Sequence, residues 1–190
     1  MNASELLDDN LLLWDKFLQG DACAFGELMH RHYRDLFNYG TRFTKDKELV
    51  KDCIQDLFLS LWKNRLTLSR TEFVKYYLLK SLRRKLSKTI NNNHSSKNAE
   101  LYFDIGIREI DPVENKIISS ETYLELTQRI RKLLVGLSKR QQEVIYLHFY
   151  IEADYKEIAD IMSIRRQSAY NLLHEALKKL KKTFCMQNIF

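Results

Sequence analysis

Arg165, Arg166, Gln167, Ser168 and Asn171 crowd the start of a helical pattern late in the chain, and Lys178, Lys179, Lys181 and Lys182 trail behind them. These residue types in this order suit the reading of a DNA major groove. An arginine fork pairs with guanine, an asparagine or glutamine amide pairs with adenine, and lysines further along sit on phosphates. The supporting pattern is Ala169, Leu172, Leu173, Ala176, Leu177 and Leu180, one apolar helical stripe, with Gln167, Tyr170, Asn171, His174 and Lys178 opposite. Just upstream, Asp154 and Glu157 have capping-box spacing for a short helix that turns Ile158, Ala159, Ile161 and Met162 inward, and Ser163–Ile164 break the rhythm. A competing reading is a plain amphipathic hairpin whose basic end complements the helix dipole. The spacing favours DNA: Ala159 and Ala169 are small residues where the two helices of a helix-turn-helix cross.

Two further sets precede this one. The pattern Lys47–Asn64, capped by Asp46, turns Leu49, Val50, Cys53, Ile54, Leu57, Phe58, Leu61 and Trp62 to a core. Its outer stripe is Asp52, Gln55, Asp56, Leu59 and Lys63, which is either a solvated face or a docking surface for another protein. The pattern Glu72–Ile90, with capping-box spacing between Ser69 and Glu72, interleaves Phe73, Tyr76 and Tyr77 with Lys75, Lys80, Arg83, Arg84, Lys85 and Lys88. Aromatic and basic residues together can stack and track an unpaired strand. Alternatively Phe73, Tyr77, Leu82 and Leu86 are buried and the cations are solvated, and the two uses occupy different faces.

These patterns are helical throughout. Five glycines and one proline in 190 residues disfavour sandwiches, barrels and phosphate-cradling loops, and 45% hydrophobic residues suffice for a core. The expected fold is all-α: a helical domain over 1–90, a polar, acidic linker over 91–118, and a helix-turn-helix domain over 119–190. Net charge divides as +4 over 1–90, −3 over 91–130 and +5 over 131–190, so two basic blocks flank an acidic connector. Cys23, Cys53 and Cys185 are odd in number and unpaired in sequence, as in a reduced cytosolic protein. No secretory leader opens the chain and no apolar run approaches membrane-spanning length, so a cytoplasmic location without membrane insertion is expected. No metal-binding, nucleophile-elbow or glycine-loop motif is present, and neither catalysis, a metal nor a cofactor is expected.

Two segments then carry a resemblance. VKDCIQDLFLSLW (Val50–Trp62) is similar to the A-E-D-x-x-Q-E-x-F-x-x-x-W segment in region 2 of extracytoplasmic-function sigma factors, the small two-domain branch of the sigma-70 family. Leu137–Leu180 resembles their region 4, with E-I-A at Glu157–Ala159 and a recognition helix ending in A-x-x-x-L. The resemblance implies a factor that binds core RNA polymerase and directs it to promoter DNA, with an anti-sigma factor as a further partner. It places Asp52, Gln55, Asp56 and Leu59 against polymerase. The loop Lys63–Thr71 would capture a base flipped from the downstream (−10) element, and Tyr76, Lys80, Arg83 and Arg84 would hold the melted strand. Arg165, Arg166, Gln167, Ser168, Asn171 and Lys178 would meet the upstream (−35) element. The chain departs from the family at Arg83, where asparagine is frequent, and at Ser163, where a turn glycine is usual. Arg165 replaces a Ser or Thr cap, and Ala169 replaces Val or Ile. The alternatives are a helix-turn-helix regulator whose N-terminal half dimerises or senses a signal, and a helical adaptor that binds only protein.

Overall fold

The computed structural model describes residues 3–93, 102–105, 130 and 132–187. Among these the regular elements are all helical, and the chain divides into two compact units.

The N-terminal unit is built by α1 (Ala3–Leu18), α2 (Ala22–Gly40), α3 (Lys47–Asn64) and α4 (Val74–Asn93), with a 3-10 turn at Arg65–Thr67. Their boundaries follow from local chemistry. α1 ends where Gly20 adopts φ +94, with Gly20 N–H bonded to Phe17 O and Asp21 N–H to Lys16 O, the two bonds of a Schellman stop. Asp21 then caps α2 by accepting from Cys23 and Ala24 N–H, and Asp46 caps α3 by accepting from Leu49 N–H. The expected capping box at Ser69 and Glu72 does not form. α4 begins later, at Val74, and Thr71 Oγ1 accepts the Phe73 N–H at 3.2 Å.

Aromatic rings fill the centre of this unit. Trp14 and Phe17 pack 5.1 Å apart, Phe17 stacks on Phe25 at 5.1 Å, and Phe25 meets Trp62 at 5.1 Å and Phe58 at 6.0 Å. Trp14, Phe17 and Phe58 are buried while Phe25 and Trp62 are half-buried, and a fully buried ring removes roughly 150–250 Å² from water, on the order of 4 kcal/mol before entropy is charged. Gly40 permits the closest approach. A Cβ there would lie 2.6 Å from Val50 Cγ1, inside contact distance of a fully buried β-branched side chain.

The C-terminal unit contains α5 (Lys139–Phe149), the first half of α6 (Tyr155–Met162, whose residues from Ala159 on group with the other unit) and α7 (Arg166–Gln187), preceded by helical residues at 132–135. Ser138 and Gln141 form the expected capping box of α5, and Asp154 and Glu157 reciprocate at the start of α6. α5 packs on α7 and is buried without interruption from Gln141 to Leu147. Part of its cover comes from Phe103, within the stretch expected to be linker. Phe103 is buried, its ring meets Tyr146 edge-on at 5.8 Å, and Ile105 N–H bonds to Gln142 Oε1 at 3.2 Å. Gln142 turns its other end to Leu137 O at 3.1 Å, so one buried amide has both a donor and an acceptor partner. The sequence boundaries at 118 and 119 fall outside the described residues.

Candidate nucleic-acid interface

α7 is held by three fully buried residues, Ala169, Leu173 and Ala176, spaced four and three apart. That spacing fixes the outward face. Arg165, Arg166, Gln167, Ser168, Asn171 and Lys178 are all exposed. Among the described residues, Arg165, Arg166 and Lys178 have no ion-pair partner, so their charge is available to a polyanion. Gln167 donates its amide N–H to Asn171 Oδ1 at 3.0 Å, which couples the two amides along the helix. The pair still presents a Gln167 acceptor and Asn171 donors to a base edge. Leu177, expected in the apolar stripe, is instead 40% exposed, because it sits one residue round the helix from fully buried Ala176, at the margin of the stripe.

The turn before α7 has a serine where a glycine is the usual residue. Ser163 has φ +53, the left-handed region that costs a side-chain-bearing residue free energy. Arg165 occupies the N-cap position, its carbonyl accepting from Ser168 and Ala169 N–H, but its side chain has no acceptor with which to cap.

In the N-terminal unit, Asp52, Gln55, Asp56 and Leu59 all lie exposed on α3, with Leu59 53% accessible among polar neighbours. Asp56 is not unengaged: Lys85 of α4 reaches its Oδ2 at 3.2 Å. On α4, Leu82 and Leu86 are fully buried, Tyr76, Lys80 and Arg83 are half-buried, and Arg84 is exposed. Tyr77 packs edge-on against Trp14 at 5.5 Å. Phe73, which the sequence gives either to a stacking platform or to the core, is 46% exposed and stacks on Tyr76, with centroids 6.2 Å apart and planes at 24°. Helical periodicity could not choose between the two, since α4 begins after Phe73 and its phase does not extend back to it. The loop Lys63–Thr71 carries another exposed apolar group, Leu66, 84% accessible.

Known proteins resemble the chain in both halves. Sigma-70 region 2 matches residues 28–95, and Sigma-70 region 4 matches residues 127–180. The ECF RNA polymerase sigma factor SigK of Mycobacterium sp. (strain JLS) is 20% identical over 167 residues, covering 87% of this chain and 86% of that protein. The SigK of Mycolicibacterium vanbaalenii is 20% identical over 166 residues, covering 86% and 83%. Among solved structures, CnrH in complex with the cytosolic domain of CnrY matches with a TM-score of 0.63 at 20% identity, covering 94% of this chain and 99% of that one. The sigma factor RpoE of Bartonella quintana, in complex with the anti-sigma factor NepR, matches with a TM-score of 0.58 at 16% identity, covering 83% and 94%.

Proposed function

Because this chain belongs to the extracytoplasmic-function branch of the sigma-70 family, it is a sigma factor, and we propose that it binds core RNA polymerase and directs promoter recognition and transcription initiation. The observation that carries this reading is the presence of two differently equipped surfaces on one chain. An exposed acid-amide-acid stripe with a leucine at its end lies on α3, and a row of exposed arginines and amides opens α7.

On this reading Asp52, Gln55, Asp56 and Leu59 dock on polymerase. The loop Lys63–Thr71 receives a flipped base of the downstream element, and Tyr76, Lys80, Arg83 and Arg84 hold the melted strand. The stacked, exposed Phe73 joins that platform, since base stacking on an aromatic face contributes about 1–3 kcal/mol and tolerates any sequence. Base capture offsets part of the unstacking cost, a few kcal/mol per base. Arg165, Arg166, Gln167, Ser168, Asn171 and Lys178 meet the upstream element. Neither surface catalyses a reaction. Holding both on one polymerase raises the effective concentration of the second DNA contact once the first is made. The proposed place of action is the cytoplasm, and an anti-sigma factor is a further proposed partner, as NepR is for RpoE of Bartonella quintana.

The test is reconstitution with bacterial core RNA polymerase and genome-wide mapping of transcription starts, with Asp52→Lys in parallel. Asp52 is exposed, so the substitution should change folding stability by no more than about 0.5 kcal/mol. Against a basic docking patch it should weaken core binding by a few kcal/mol. A wild-type chain that does not bind core polymerase ends this reading, whereas equal binding by both removes only the docking face.

A further inference from the structure

The segment matching sigma-70 region 2 begins at residue 28, so α1 precedes it, and nothing above gives α1 a part in reading DNA. Yet α1 fixes the shape of the loop Lys63–Thr71. That loop has one 3-10 turn, closed by Leu68 N–H to Arg65 O at 3.4 Å and by Thr67 Oγ1 to Asn64 O at 2.9 Å. Its remaining order comes from anchors on either side of Leu66. Before Leu66, the Arg65 guanidinium lies over the Trp62 ring at 4.6 Å and donates from Nη1 to Trp62 O at 2.8 Å. After it, both anchors belong to α1. The Trp14 indole N–H donates to Ser69 O at 3.3 Å. Asp15 grips the Arg70 fork, with Nε to Oδ1 at 3.0 Å and Nη2 to Oδ2 at 2.9 Å.

We infer that α1 is part of the downstream-element reader, with Trp14 and Asp15 as positioning residues that hold the loop in its base-receiving shape. This rests on the reading of the loop as a base-capture site. Ordering a flexible residue costs backbone entropy, and a loop already ordered does not incur that cost when the base arrives. Trp14 cannot shift, being only 1% exposed and wedged between Phe17 and Tyr77. The Arg70 fork fixes direction as well as distance, which a lysine at that position does not. Leu66, held out between these anchors, gains nothing from folding in this position, and an apolar tip on a braced loop is available to pack against the face of an unstacked base.

The experiment uses the full chain assembled with bacterial core RNA polymerase and a pool of short single-stranded DNA of random sequence, bound molecules being sequenced. Asp15→Asn, Arg70→Lys and the reciprocal double variant Asp15→Arg with Arg70→Asp are compared with wild type. Each single variant should lose about threefold in preference at the captured position, the weight of one exposed but bidentate pair. Core affinity and thermal midpoint should stay as in wild type, and the double variant should regain part of the preference. Unchanged preference in the single variants overturns the inference and leaves base capture standing. Loss spread evenly over all sequences, or tracking a fall in thermal midpoint, makes these contacts merely structural and overturns it as well. A wild-type complex with no base preference removes the base-capture reading, and the inference falls with it.

Discussion

The two helical units close their cores differently. In the N-terminal unit each helix brings its own apolar stripe, and the rings of Trp14, Phe17, Phe25, Phe58 and Trp62 meet in the middle. In the C-terminal unit α5 has no single buried face: all seven residues from Gln141 to Leu147 are buried, three of them polar. A helix buried all round must be covered from more than one side. α7 supplies one cover, and Phe103 supplies another from far upstream. Small units bury proportionately less of their surface, so the second unit draws on a side chain from far upstream to complete its core.

Phe103→Ala is the sharpest way to break that contrast. Removing a ring with 1% exposure should destabilise the C-terminal unit by about 3–5 kcal/mol. Both tryptophans, Trp14 and Trp62, lie in the N-terminal unit, so fluorescence reports that unit while far-ultraviolet dichroism reports both. The variant should lose helix signal at lower temperature with an unmoved fluorescence transition. If dichroism is as in wild type, Phe103 is no part of the core.

Acid should break the other unit. His32 is buried, its Nε2 has no hydrogen-bond partner, and burial lowers its pKa to about 4, with Lys75 and Arg31 adding to the fall and Asp35 opposing it. The unfolded chain, with a pKa near 6.5, takes the proton first, so stability is present above about pH 6.5 and is lost as pH falls toward 4. The loss from this group approaches roughly 3 kcal/mol. Between neutral pH and about pH 4 the fluorescence-detected stability of wild type should fall by that much more than that of His32→Leu. Parallel pH profiles would exonerate His32.

How far all this was legible in the chain depends on what periodicity can report. It places Lys47–Asn64 to the residue, because Asp46 caps it and eight apolar positions recur in phase. It also separates the outward side of α7 from Ala169, Leu173 and Ala176. It does not say what covers a face. Phe103 sits in a polar, acidic stretch whose composition outweighs one ring, and only the contact with Tyr146 discloses its use. Leu177 lies at mid-helix but one step round from the buried row Ala169, Leu173 and Ala176, at the margin of the stripe, whereas Phe73 precedes the first turn of α4, where no stripe has begun. For the candidate surfaces, residue type and exposure could be read from the pattern. The Gln167–Asn171 coupling, the Lys85–Asp56 pair and the α1 anchors could not, since each is set by side-chain geometry or by distant sequence.

The exposed charges sharpen the comparison on a smaller scale. Lys75, Lys85 and Arg70 of the N-terminal unit are paired with Asp35, Asp56 and Asp15, whereas Arg166 and Lys178 of α7 have no ionic partner among the described residues. Arg166→Ala or Asn171→Ala should cost about 1–3 kcal/mol at one base of the upstream element. Lys178→Ala should weaken binding evenly over sequences and reduce its salt dependence. Selection on randomised upstream elements reads both effects. Unaltered base preference in the first two variants would remove those side chains from the reading role.

The smallest effect concerns the turn between α6 and α7. Ser163 has φ +53 and its N–H bonds to Asp160 O at 3.2 Å, so the bond holds the residue in a region where its Cβ crowds the following carbonyl. Glycine has no such penalty there, though it loses more backbone freedom on folding, and the two terms oppose each other. The steric term is roughly 1–2 kcal/mol and the entropic term is smaller, so Ser163→Gly should stabilise the helix-turn-helix by up to about 1 kcal/mol. Glu152, with φ +62 in the turn after α5, provides an internal control, and Glu152→Gly should act in the same direction. Dichroism-detected melting should rise in both variants. Ser163→Ala should give no gain, because it keeps the Cβ. If alanine stabilises as much as glycine, the hydroxyl and not the backbone is the source of the penalty, and the strain assigned to this turn is wrong.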